Sequence, residues 1–178
     1  VTHPGTLGLP AGLALLMAAI VGERLLELVV AQRHARWATA RGGVEYGRSH
    51  YPVMVVLHIA LIVGTLTEVA LTHRTFLPAV GWPALAGVAL TNAARWWCIR
   101  SLGPHWNTRV IIVPGLPLVS SGPYRWVRHP NYVIVIAEGI ALPLVYDAWM
   151  TALLFTLANA ALLTVRMRVE NKALALVA

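Results

Sequence analysis

Apolar runs alternate with short polar segments along the chain. "LPAGLALLMAAIVGERLLELVV" occupies residues 9–30 and "PVMVVLHIALIVGTLTEVAL" residues 52–71. "LPAVGWPALAGVALTNAARWW" follows at 77–97, then "YVIVIAEGIALPLVY" at 132–146 and "AWMTALLFTLANAALLTV" at 148–165. A helix needs about 20 mostly apolar residues to cross the hydrocarbon layer, and these runs approach that length. The first resembles a signal peptide in position, but it lacks a basic leader and its apolar character resumes after Glu23 and Arg24. The third is the weakest, with internal prolines and Asn92. Only Asp147 separates the last two, which predicts a tight helical hairpin. The runs are too long and too rich in Ala and Leu for barrel strands. "TRVIIV", residues 108–113, reads either as a short strand or as a strip packed on the membrane interface. With no internal repeat or low-complexity tract, the pattern predicts one all-α integral membrane domain over 1–178, with about five transmembrane helices.

Composition supports a bilayer as solvent. The chain of 178 residues is 58% hydrophobic and only 12% charged, against about 45–50% and 25% for soluble domains. Charge then supplies sidedness. Arg33, Arg36, Arg41 and Arg48 follow the first run; Arg95, Arg100, Arg109, Arg125 and Arg128 lie between the third and fourth; Arg166, Arg168 and Lys172 end the fifth. The opposite side holds only Arg74. The N-terminus is therefore expected outside and the C-terminus in the cytoplasm, in a bacterial cytoplasmic membrane. The net charge of +7 fits anionic lipid headgroups better than nucleic acid, because the arginines sit between apolar runs. The single cysteine, Cys98, excludes an internal disulfide and a multi-cysteine metal site. No metal and no obligate protein partner are expected.

The candidate chemistry sits in the longest polar stretch, residues 101–131. Five prolines punctuate it, so a long helix is not expected there. Pro130 suits the first turn of the fourth helix, which leaves His129 at a helix N-terminus beside free backbone donors, a place for an anionic group. Taken singly, Arg125 and Trp126 read as interface anchors. The tail "VRMRVENKAL" puts Arg166 and Glu170 on one helical face at i, i+4, a spacing that also describes a surface ion pair of little energy. Topology brings this face to the same side as the loop. Together they offer a cation, an acid, the Asn171 amide and several rings, which suits a ligand carrying both a carboxylate and a positive centre.

"GPYRWVRHPNY", followed two spans later by "RMRVEN", resembles the signature of the isoprenylcysteine carboxyl methyltransferase family and its phospholipid methyltransferase relatives. "ERLLELVVAQRHARWATARGGVEYGRSHYPVMVVLH" is similar to a bacterial branch that O-methylates lipid-like polyketides such as alkylpyrones. The resemblance implies S-adenosylmethionine as cofactor, held between the cytoplasmic loop and the C-terminal helix, within about 101–178. It assigns Gly122, Pro123, Tyr124, Arg128, His129, Pro130 and Tyr132 to cofactor binding through the loop motif, and Glu170 through the tail motif. Asn171 stands where many relatives carry a second acid, and no glycine follows the tyrosine soon after. A soluble-type "GxGxxG" turn is absent, so the site is expected from loop and helix ends.

On this reading Arg166 grips the acceptor oxygen and Glu170 holds both Arg166 and the cofactor, with His129 a lesser candidate as proton acceptor. The acceptor enters from lipid. Polar groups within spans mark candidate substrate contacts: Glu138, His58 and Asn92, with Glu68 under the same suspicion. His50, with Glu45 and Tyr51, is placed to cap the acceptor cavity. Glu23, Arg24 and Glu27 read as mutually neutralising structural charges. The expected activity is O-methylation of an alkylpyrone or alkylresorcinol-type polyketide. The alternatives are a prenylcysteine carboxylate or a phospholipid amine as acceptor, and, outside enzymes, a small lipid-binding transport or scaffold protein.

Overall fold

A computed structural model of the chain describes residues 9–117 and 119–175. The N-terminal residues 1–8, which the charge pattern assigns to the outer side, lie outside the described residues. Five helices carry the fold: α1 (Ala11–Thr39), α2 (His50–Thr72), α3 (Pro78–Leu102), α4 (Pro130–Leu144) and α5 (Trp149–Ala175). Their order matches the five apolar runs. Their ends do not, because α1 and α5 continue about two turns past the apolar sequence into the arginine-rich segments. Hydropathy marks where the apolar sequence ends, whereas backbone hydrogen bonding carries a helix on through polar residues.

An all-helical chain is corrected in one respect. Strands β1 (Val44–Tyr46) and β2 (Val110–Ile112) pair antiparallel, with Val44 opposite Ile112 and Tyr46 opposite Val110. "TRVIIV" is thus a short strand, and its partner follows the Gly42–Gly43 turn. Three-residue pairings this short depend on packing. Here the ribbon lies against the ends of α1 and α5.

Cross-chain contacts fix the alternation of the helices. The Arg74–Asp147 ion pair at 2.9 Å joins the α2–α3 and α4–α5 connections at one end. Asp147 takes a left-handed φ of 56°, the sharp reversal expected of that hairpin. Glu68 near the end of α2 accepts from the Thr151 amide at 2.7 Å and the Met150 amide at 3.2 Å. It thereby satisfies free donors at the start of α5, where the helix dipole favours a carboxylate. This accounts for Glu68 without a ligand. At the other end the two long polar segments and the tail of α5 come together.

The interior is layered along the bundle. Near the Arg74 end lies an apolar tier of Leu13, Met17, Leu61, Val88, Leu142 and Phe155. Beneath it is an ionic tier. Arg24 donates to Glu27 at 2.9 Å, to Glu138 at 3.0 Å and to Asn92 at 3.1 Å, while Arg95 bonds Glu138 and lies 3.3 Å from Glu27. Trp96 donates to Glu23 at 2.9 Å. The outer surface is apolar instead: Leu15, Val56, Leu90 and Leu154 are each at least 64% exposed. Charges inside and aliphatics outside reverse the pattern of a water-soluble bundle. Two described helices, α2 and α5, are long and apolar enough to cross a membrane; α4 is apolar but its 15 residues rise only about 22 Å.

Candidate functional site

The third tier is a cavity of about 320 Å³ where the proline-rich segment, the start of α4 and the end of α5 converge. Its apolar wall is made by Val110, Ile111, Ile112, Val113 and Leu116; its polar wall by Arg128, His129, Asn131, Arg166, Glu170 and Asn171. Local sequence explains the placement. Pro130 is the first residue of α4, so His129 becomes its N-cap. The segment before β2 is fastened to α1: the His34 Nδ1–H donates to the Trp106 carbonyl at 2.8 Å and Asn107 donates to the Ala31 carbonyl at 3.0 Å. Gly122 has φ +59° and lies against α3, where any Cβ would collide with Ser101 Oγ. Only glycine fits both demands.

The two distant motifs meet side chain to side chain. His129 Nδ1 lies 3.6 Å from Glu170 Oε1, and His129 Nε2 lies 3.1 Å from Asn171 Oδ1. The imidazole stacks on the Tyr132 ring with centroids 5.2 Å apart. The Tyr132 hydroxyl donates to Glu170 Oε2 and accepts from Arg166 Nε at 3.0 Å. Arg166 Nη2 donates to the Thr108 carbonyl at 2.8 Å. A buried arginine with such partners is a fixed positive charge with a set direction. The Glu170 carboxylate beside His129 raises the pKa of that imidazole, outweighing the opposite pull of burial. Burial pushes the Tyr124 phenol far above its ordinary value, so it acts as a neutral hydroxyl.

Of the residues singled out from sequence, Tyr124, Arg128, His129, Pro130, Tyr132, Arg166, Glu170 and Asn171 line this cavity. Gly122 and Pro123 do not line it; they shape the turn that carries Tyr124. The four remaining candidates, Glu138, Asn92, His58 and His50, do not line the cavity. Glu138 and Asn92 bond Arg24, with Glu138 also on Arg95, because an unpaired charge at that depth costs too much. The His58 Nδ1–H donates to its own helix at the Met54 carbonyl, 2.8 Å away, and the ring packs edge-on to Phe155. His50 is buried with its ring against Gly47. Glu45 pairs with Arg48 at 3.2 Å and Arg109 at 3.6 Å, and Arg109 covers Tyr51. These contacts tie the ribbon to α2 instead of capping the cavity.

Sequence reading missed β2 as a cavity wall, although its β-branched residues gave a signal. It also missed Asn131, whose buried Oδ1 has no partner, and the Thr108 carbonyl, which no side-chain pattern reveals.

Comparison with known proteins adds ancestry to this geometry. Residues 84–176 match the isoprenylcysteine carboxyl methyltransferase (ICMT) family, a stretch running from within α3 to the end of α5. The uncharacterized protein YpbQ of Bacillus subtilis is 41% identical over 161 residues, covering 90% of this chain and 95% of that protein. An uncharacterized protein of Haemophilus influenzae is 27% identical over 158 residues, covering 88% of this chain and 91% of its own.

Proposed function

Because the chain belongs to the isoprenylcysteine carboxyl methyltransferase family, we propose that it is an integral membrane O-methyltransferase that uses S-adenosylmethionine. Its acceptor is lipophilic, of the alkylpyrone or alkylresorcinol type, and its five helices lie in a bacterial cytoplasmic membrane with the cavity facing the cytoplasm. The observation that carries this reading is the meeting of His129 and Asn171, and of Tyr132 and Glu170, in one cavity. These residues are about 40 positions apart, and a scaffold role does not require them to share a chamber.

The cavity suits the cofactor on three counts. Its volume lies at the lower end of the range of about 300–1,000 Å³ usual for small-molecule sites. The unpartnered Asn131 Oδ1 calls for a ligand donor such as an ammonium group. Arg128 and the Glu170 carboxylate stand on the same polar wall, matching a zwitterion. Arg128 would hold the carboxylate, Glu170 and Asn131 the cationic part, and the β2 wall the base. When bound, S-adenosylmethionine supplies an electrophilic methyl group. The chain's own part is alignment. Tyr132 links Arg166 to Glu170, so cation and carboxylate keep a set spacing. Arg166 orients the acceptor oxygen and favours its ionised form. An acidic enol needs no strong base, and His129, whose proton Glu170 retains, is a poor one.

Titration of detergent-purified protein with S-adenosylmethionine tests this directly. The melting temperature should rise with the logarithm of ligand concentration above Kd, reaching about 2.7 kcal/mol of stabilisation at a hundredfold excess. Glu170→Ala should abolish the rise. An unchanged wild-type melt would overturn the proposal in favour of a lipid-binding scaffold.

A further inference from the structure

The Nη1 amino group of Arg166 lacks a proper acceptor. Nε donates to the Tyr132 hydroxyl and Nη2 to the Thr108 carbonyl, but Nη1 points at the thioether sulfur of Met54, 2.7 Å away. A thioether is a weak acceptor, so a buried guanidinium donor facing one leaves much of its bonding capacity unused. An oxyanion in the place of that sulfur would recover it. Met54 is also a side chain able to withdraw, being unbranched with three rotatable bonds and only half-buried. The backbone beneath it stays fixed, because the Met54 carbonyl accepts the His58 Nδ1–H. His50 lies one turn earlier on the same face of α2, so Met54 is flanked by two enclosed imidazoles.

We propose that Met54 is a displaceable stopper over the acceptor subsite: the acceptor's acidic oxygen replaces the Met54 sulfur at Arg166 Nη1, and the size of residue 54 selects which acceptor head groups are methylated. This rests on the methyltransferase reading above. It gives that reading a specificity-determining residue from α2, outside both motifs and outside the family match at 84–176. The contact is non-covalent, and the ligand class it calls for is a planar ring bearing an enolate, phenolate or comparable oxyanion.

The test compares wild type with Met54→Ala, Met54→Leu and Met54→Phe. Each is assayed for S-adenosylmethionine affinity, and for kcat/KM on an alkylresorcinol and on its analogue with a methyl group beside the reacting oxygen. All variants should keep cofactor affinity within about threefold of wild type. Met54→Phe should lower kcat/KM for the plain acceptor by about tenfold or more, and Met54→Ala should shift selectivity toward the methylated analogue by about tenfold. Met54→Leu, similar in volume, should keep the wild-type preference. Should Met54→Phe fail to fold, the ratio of Ala to Leu selectivity decides. If wild type binds cofactor and turns over but the ratio stays constant across variants, Met54 is not the stopper. If wild type itself neither binds cofactor nor methylates, the underlying reading falls and this inference with it.

Discussion

His129 shows how two residues of the tail set the state of one residue of the loop. Both its nitrogens face oxygens at the end of α5, Glu170 Oε1 and Asn171 Oδ1, and the carboxylate contact raises its pKa. A histidine with a raised folded-state pKa stabilises the protein fully below its unfolded value of about 6.5 and loses that contribution as pH rises through the folded value. Melting temperature should therefore fall as pH rises from about 6.5 through the folded-state value, and the fall should shrink in His129→Gln. Parallel pH curves for the two proteins would show that Glu170 does not hold the proton. The sequence placed this residue at the start of a helix, because a proline fixes where the helix begins. Asn131, two positions later, was passed over, since nothing in a sequence distinguishes a partnered amide from an orphan.

At the scale of elements, the ionic tier joins α1, α3 and α4 halfway through the bundle. The sequence marks Glu138 and Asn92 as polar groups within apolar runs, costly to bury without a partner. What it lacked was the partner: Arg24 and Arg95 lie 114 and 43 positions from Glu138. With a single sequence, cost is visible and compensation is not. Removing one member of such a tier leaves a buried charge exposed to low dielectric, so Glu138→Ala should destabilise the protein by about 3–5 kcal/mol. Arg95→Leu introduced beside it should restore part of the loss. Thermal melting of the purified variants measures both. A Glu138→Ala protein that melts like wild type yet fails to turn over the acceptor would return Glu138 to the substrate-binding residues.

At the scale of the whole molecule, arginine-rich segments crowd one end and the Arg74–Asp147 pair marks the other, 2.9 Å across. If the bundle sits in the cytoplasmic membrane as proposed, exposed residues at these ends meet different compartments. The only native cysteine is buried, which permits a Cys98→Ser background for single-cysteine labelling. An impermeant maleimide should label Ser120→Cys in inverted vesicles and Thr75→Cys in intact spheroplasts. Labelling of both from one side would contradict five spans with an outer N-terminus.

Hydrophobic spacing determined five helices in order and the tight reversal at Asp147, because apolar runs and the short breaks between them act locally. It also singled out the His129 turn and the α5 tail, which meet in the fold, since prolines and i, i+4 spacing set direction within a few residues. Only the tertiary structure decided that Glu138 belongs with Arg24 and Arg95, that β2 walls the cavity, and that Met54 faces Arg166. Such pairings depend on which distant surfaces meet when the helices pack, and the energies that choose among them reside in neither partner alone.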